Sequence, residues 1–263
     1  ASIAPANAST VVVNGGTFDV NSLNETVAGV QLPAGSITGT TGVLTSTTNF
    51  DMQDGTVSAI LGGSVGLTKT TTGTVTLLGS NTYSGTTTVN EGTLIRGGSD
   101  TAVPGDLVIG DGSGTDLVLL TNSEAIANTS LVTINSSGIL RVNDRSETIG
   151  GLTGSGIAEN EGGGAGTLTV NVASGSQTFS GVLRNGDGSS SPNVDGTLAF
   201  TKTGNGTQIL IGTNTDSGNT TVTAGTLQLG DGASGSGSLS TSSAISVSTG
   251  AVFAVNQTDT VTQ

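Results

Sequence analysis

The sequence predicts an all-β fold, a right-handed parallel β-helix with coils of about 19–20 residues, and three observations carry the prediction. First, the chain is written twice: TKTTTGTVTLLGSNTYSGTTTVNEGTL from Thr68 to Leu94 returns without a gap as TKTGNGTQILIGTNTDSGNTTVTAGTL from Thr201 to Leu227, at a constant offset (201 − 68 = 133; 227 − 94 = 133). Second, Gly-Thr followed by an apolar residue sets a finer beat at Gly55, Gly73 and Gly92, in steps of 18 and 19. Third, the chain has 44 glycines among 263 residues and only 2% aromatics. Stretches such as Thr74-Val75-Thr76-Leu77 and Thr226-Leu227-Gln228-Leu229 therefore read as short alternating strands closed by glycine turns, and no segment keeps a helical period. A unit this short cannot bury an apolar face alone and must stack on like neighbours.

The elements follow in chain order within one continuous domain, 1–263. The opening residues ASIAPANAS match no repeat and are expected to cover the first coil or add to a neighbour's open edge. Super-repeat copies then run over approximately 10–130 and 131–243, with a truncated third over 244–263 that carries the matching segment Phe253-Ala254-Val255-Asn256. Phe18-Asp19-Val20-Asn21 and Glu25-Thr26-Val27 return at a smaller offset (140 − 18 = 122) as Leu140-Arg141-Val142-Asn143 and Glu147-Thr148-Ile149. The second copy is therefore longer by the difference between the two offsets (133 − 122 = 11). We assign the gain to a loop insertion at 184–196, RNGDGSSSPNVDG, because its composition is that of turns throughout.

Val75, Leu77, Val89 and Leu94, with Leu210, Val222 and Leu227, are expected to face inward. Gln208 stands in the place of Val75, which leaves the strand phase over Gln208–Ile211 open. Gly73, Gly85 and Gly92 and their counterparts Gly206, Gly218 and Gly225 are turn candidates. Asn81 and Asn214 are turn or ladder candidates, since asparagine tolerates left-handed turns and stacked amides can form ladders. With strands stacked at about 4.8 Å, roughly 11 to 14 coils make a rod of about 50 to 70 Å. The competing architecture, a string of immunoglobulin-like sandwiches, relies on large aromatic cores; a chain with no Trp and one Tyr argues against it.

The duplicated block resembles the passenger-associated repeat of bacterial autotransporter passenger domains, G-x-G-T-L-x-L-x-G-x-N-T-Y-x-G-x-T-x-V-x-x-G-T-L. Here it reads Thr71-Thr72-Gly73-Thr74-Val75-Thr76-Leu77-Leu78-Gly79-Ser80-Asn81-Thr82-Tyr83-Ser84-Gly85 and closes on Val89 and Gly92-Thr93-Leu94. The second copy departs from the pattern at Asp216, where the tyrosine is expected, and at Gln208. The resemblance implies an exported, non-catalytic stalk or adhesin segment at the outer surface of a bacterium, with an unnamed surface ligand on a host or a neighbouring cell. A self-assembling extracellular fibre subunit is the second reading, and a polysaccharide-active β-helix the third.

The net charge of −13 reflects only six basic residues, and such a surface repels nucleic acid and anionic lipid. Cysteine is absent, and no apolar run is long enough to span a bilayer. No catalytic residue, cofactor or metal ligand is expected. The strongest acid pair, Glu159 and Glu161, precedes three glycines and reads as two solvated turn carboxylates, dispensable to folding and binding. Without His, Cys or Trp, the usual bases, nucleophiles and sugar platforms are missing. Gly110–Asp116 and Asn185–Gly188 have calcium-loop chemistry but lack the tandem nonapeptide of a calcium roll. The seven Asn-x-Ser/Thr sequons are expected from composition alone. The last residues, from Ala251 on, begin a coil without a polar cap, which raises the expectation of end-to-end association.

Overall fold

The computed structural model describes residues 9–98, 101–187, 196–233 and 236–258. Among them no residue is helical, every strand ladder is parallel, and the chain winds into a β-solenoid of about 10 turns. Three lines of strands run along the rod. The first passes through Gln31, Asp51, Thr68, Thr88, Val108, Thr133 and Thr153. The second passes through Thr17, Ser36, Thr56, Thr76, Ile95, Leu119, Arg141, Glu159 and Arg184. These two lines form one 17-stranded sheet because long strands such as Leu67–Leu77 and Thr87–Arg96 contribute to both.

The third line opens with a three-stranded sheet, Glu25–Val27, Val43–Ser46 and Ile60–Gly62. It closes with a five-stranded one, Ser146–Ile149, Ala165–Asn171, Thr197–Thr203, Thr220–Val222 and Ile245–Val247. Between them the line is carried by turn hydrogen bonds, such as Thr82 N to Leu61 O, and by an isolated bridge between Val103 and Ile126.

Alternation does the sorting. Along strands such as Leu67–Leu77 and Thr207–Leu210 alternate side chains enter the rod, and Val75, Leu77, Val89, Leu94, Leu210, Val222 and Leu227 are all buried in one continuous apolar interior. The turn count falls below the 11 to 14 expected because excursions lengthen individual coils. Leu107 stacks on Val132, Gln177 on Gln208 and Thr226 on Val252, and each of these steps is longer than the beat set by Gly55, Gly73 and Gly92. Of the insertion assigned to 184–196 and of both chain ends, residues 188–195, 1–8 and 259–263 lie outside the described residues.

The two copies of the repeat do not sit on the same side of the rod. Val75 lies on the second line, between Gly55 and Leu94, whereas Gln208 lies on the first, between Gln177 and Leu227. The offset between the copies therefore spans five whole coils and about two-thirds of another. The slip arises at Ala165–Asn171, a long strand kept on one line, where the first copy has Val43–Ser46 on the third line and then turns to Phe50–Met52 on the first.

The open phase at Gln208 resolves to inward for both Gln208 and Leu210, with Ile209 and Ile211 left partly exposed. A buried glutamine is tolerated because its amide acts as a peptide group. Nε2 donates to Leu152 O (2.9 Å) and Gln177 O (3.2 Å), and Oε1 accepts from Leu152 N (3.3 Å). Leu152 needs this partner, since the strand on the following coil pairs with its own strand only at Gly154 and Phe179.

Candidate functional site

The signature residues of the repeat act between coils. Asn81 is buried; its Oδ1 accepts from Leu61 N on the coil before (2.9 Å) and its Nδ2 donates to Ala102 O on the coil after (2.9 Å). Asn214 makes the same span, from Leu183 N (2.9 Å) to Ser238 O (2.8 Å). Each amide thus ties three coils together where strand pairing lapses. Asn81→Ala and Asn214→Ala are each expected to cost about 2 kcal/mol, because a buried donor and a buried acceptor both lose their partner. Urea denaturation of the two single variants measures this.

The glycines meet two different demands. Gly92 and Gly225, in the Gly-Thr-Leu step, have φ of +76° and +62°, a left-handed conformation that a side chain disfavours. Gly85 and Gly218 lie against the backbone of the preceding coil, where a Cβ would collide with Val65–Gly66 and with Leu198 respectively. A Cβ on Gly73 or Gly206 would likewise crowd the coil before, at Gln53 O and Gly175 O.

Two lysines that sequence reasoning passed over occupy equivalent places. Lys69 and Lys202 are both buried, with their ammonium groups on backbone carbonyls. Lys69 Nζ donates to Thr71 O and to Glu91 O on the next coil (3.1 Å); Lys202 Nζ donates to Thr203 O, Gly204 O (2.9 Å) and Ala224 O (3.3 Å). Burial pushes both pKa values down; around Lys69 this is opposed by Asp54, Glu91 and Asp116. The recurring Thr-Lys-Thr triplet was the available signal.

The expectation for Glu159 and Glu161 is overturned. Both are buried rather than solvated. In-register stacking sets Arg141 one coil before Glu159 and Arg184 one coil after it. Arg141 Nη2 reaches Glu159 Oε1 at 2.7 Å and also pairs with Glu161, while Arg184 Nη2 reaches Glu159 Oε2 at 2.6 Å and Asp187 at 3.3 Å. Glu159→Gln removes the charge shared by two guanidinium groups. It is expected to destabilise by about 2 kcal/mol, below the usual cost of breaking a fully buried pair because both arginines keep some solvent contact. Thermal denaturation at low and high salt is the measurement.

The loop acids behave separately. Asp111 Oδ1 accepts from Ser113 N (2.9 Å), an internal turn bond. Asp116 is buried at the start of a strand, with Oδ2 accepting from Ser137 Oγ (2.6 Å), and burial raises its pKa. Gly188, the end of the second candidate loop, lies outside the described residues. Among the described residues no three His, Cys, Asp or Glu side chains converge as a metal would require.

Comparison with known families places a name on the duplicated block: the passenger-associated-transport-repeat matches residues 67–95 and 200–229. The two matches cover the strands, the bridging asparagine, the inward lysine and the Gly-Thr-Leu step described above. No curated protein and no solved structure gives a significant match. Two such repeats on a β-solenoid are consistent with an autotransporter passenger built of β repeats.

Proposed function

We propose that this chain is a structural segment of an exported bacterial passenger, a β-helical stalk that holds binding surface away from the cell. The observation that supports this most directly is where the matched repeat spends its residues. Its apolar positions face the interior, its glycines set the coil spacing, and its asparagine and lysine join one coil to the next. Little of the motif is left for chemistry at the surface. A rod of about 10 turns stacked at about 4.8 Å is about 50 Å long, a geometry suited to display.

The acid pair supports a structural role over glycoside cleavage. A retaining or inverting pair needs one free carboxylate and one proton donor facing a cleft, whereas Glu159 and Glu161 are taken up by Arg141 and Arg184. Outer-surface location and adhesion to a host or neighbouring-cell ligand belong to this reading; a self-assembling extracellular fibre subunit is the alternative one. The test is to label intact producing cells with antibody to the segment and to assay the purified segment on a panel of polysaccharides. Surface labelling without hydrolysis is expected; hydrolysis that Glu159→Gln abolishes would replace the stalk with an enzyme.

A further inference from the structure

The two copies differ most in chemistry at one interior position. In the first, Tyr83 is fully buried, its ring tilted 55° against Phe50 at 6.1 Å and its hydroxyl on Thr87 Oγ1 at 2.6 Å. In the second, Asp216 takes the same backbone place: Tyr83 N bonds Leu61 O at 3.2 Å, and Asp216 N bonds Leu183 O at 3.2 Å. The carboxyl is as buried as the tyrosine, and neither of its oxygens has a hydrogen-bond partner on another residue. Thr220, the counterpart of Thr87, has turned to Ser243 instead (3.1 Å).

No charge on the packed elements compensates it. Arg184, on Val182–Asn185, is engaged by Glu159 and Asp187. Lys202, on Thr197–Thr203, is held by the carbonyls of Thr203, Gly204 and Ala224. Thr220–Val222 and residues 236–243 carry no charged group. A buried carboxylate without a partner is far costlier than a buried carboxylic acid.

We propose that Asp216 is a proton-controlled latch: protonated, it lies quietly in the interior of the second repeat, and its ionisation loosens the coils around residues 207–229 while the tyrosine-bearing first repeat stays closed. The direction follows from linkage. Burial raises the Asp216 pKa to about 7, against an ordinary 3.8, so the folded repeat holds a proton that the open chain releases. Stability of the second repeat is full below the ordinary carboxylate value and is lost as pH rises toward neutrality. Acidic surroundings tighten this stretch of rod, and neutral ones free it to move.

Amide hydrogen exchange, corrected for the intrinsic rate, tests the latch at about pH 5 and about pH 8 in the wild type, Asp216→Asn and Asp216→Tyr. Between the two pKa values the opening constant rises about tenfold per pH unit, so wild-type protection over 207–229 should fall by some tens-fold across that range, with a much smaller change over 74–94. Asp216→Asn, which keeps the shape but not the proton, should show no such fall, nor should Asp216→Tyr, which restores the first copy's residue. A pH-independent second repeat in the wild type would overturn the proposal. So would the same fall in both variants, which would move the effect to another group such as Glu147. Recovery of wild-type protection at about pH 8 on adding sodium or calcium chloride would also overturn it, by making the carboxylate a cation ligand rather than a proton store.

Discussion

Glu147→Ala is expected to destabilise the protein by about 2–5 kcal/mol, the cost of leaving two buried backbone donors without their shared acceptor. Its carboxylate, 1% exposed, accepts from Ala125 N (2.8 Å) and Ile126 N (2.9 Å), two backbone donors that lie outside any strand. From the opposite side Arg96 Nε donates to Ala125 O (3.3 Å), and Arg96 is itself among the largest buried side chains. Without the carboxylate both donors are orphaned in the interior. Glu147→Gln keeps one acceptor oxygen and should recover part of the loss. Burial, partly offset by these two hydrogen bonds and by Arg96, raises the Glu147 pKa to about 7. Its contribution therefore weakens as pH climbs from its ordinary value of 4.5 toward neutrality. Urea denaturation at several pH values gives both magnitude and direction.

Gly218→Val and Gly85→Val are each expected to cost about 3 kcal/mol or more, because the new side chain meets the backbone of the preceding coil rather than a side chain that can swing away. At Gly218 the obstacle is Leu198 O and its carbonyl carbon; at Gly85 it is Val65 and the amide of Gly66. The chain cannot relieve this by shifting one residue, since it is hydrogen-bonded here to the coils on both sides: Gly85 N to Val65 O and Thr87 N to Asp106 O, Gly218 N to Leu198 O and Thr220 N to Ala244 O. The two sites lie several coils apart, so the double variant should lose the sum of the single losses. A Gly218→Val protein with an unchanged melting temperature would mean that neighbouring coils are not stacked this closely.

Much of the architecture was legible because the signals are local. Gly-Thr-apolar recurs at the turn it creates, and Asn81 and Asn214 stand out because two copies put an amide in one place. What was not legible depends on which coil lies above which. Along the chain Glu159 is separated from Arg141 by 18 and from Arg184 by 25. With coil length varying by that much, no fixed spacing in the sequence pairs these charges, and the acids read as solvated. Gln208 looked like an error of pattern for the same reason: the peptide it completes, at Leu152, belongs to a distant part of the sequence. The buried lysines were hidden by composition, since a lone basic residue in an acidic chain reads as surface.

The slip between the two copies has a geometric consequence for whatever meets this rod. Because the duplicated block begins on one side and its twin begins on the next, matched features such as the Gly-Thr-Leu step at Gly92 and Gly225 point in directions about a third of a revolution apart. A reader that grips one copy in a straight line would find a different landscape along the same edge, and would have to travel around the shaft to meet the first pattern again. Duplication here has lengthened the shaft without striping it.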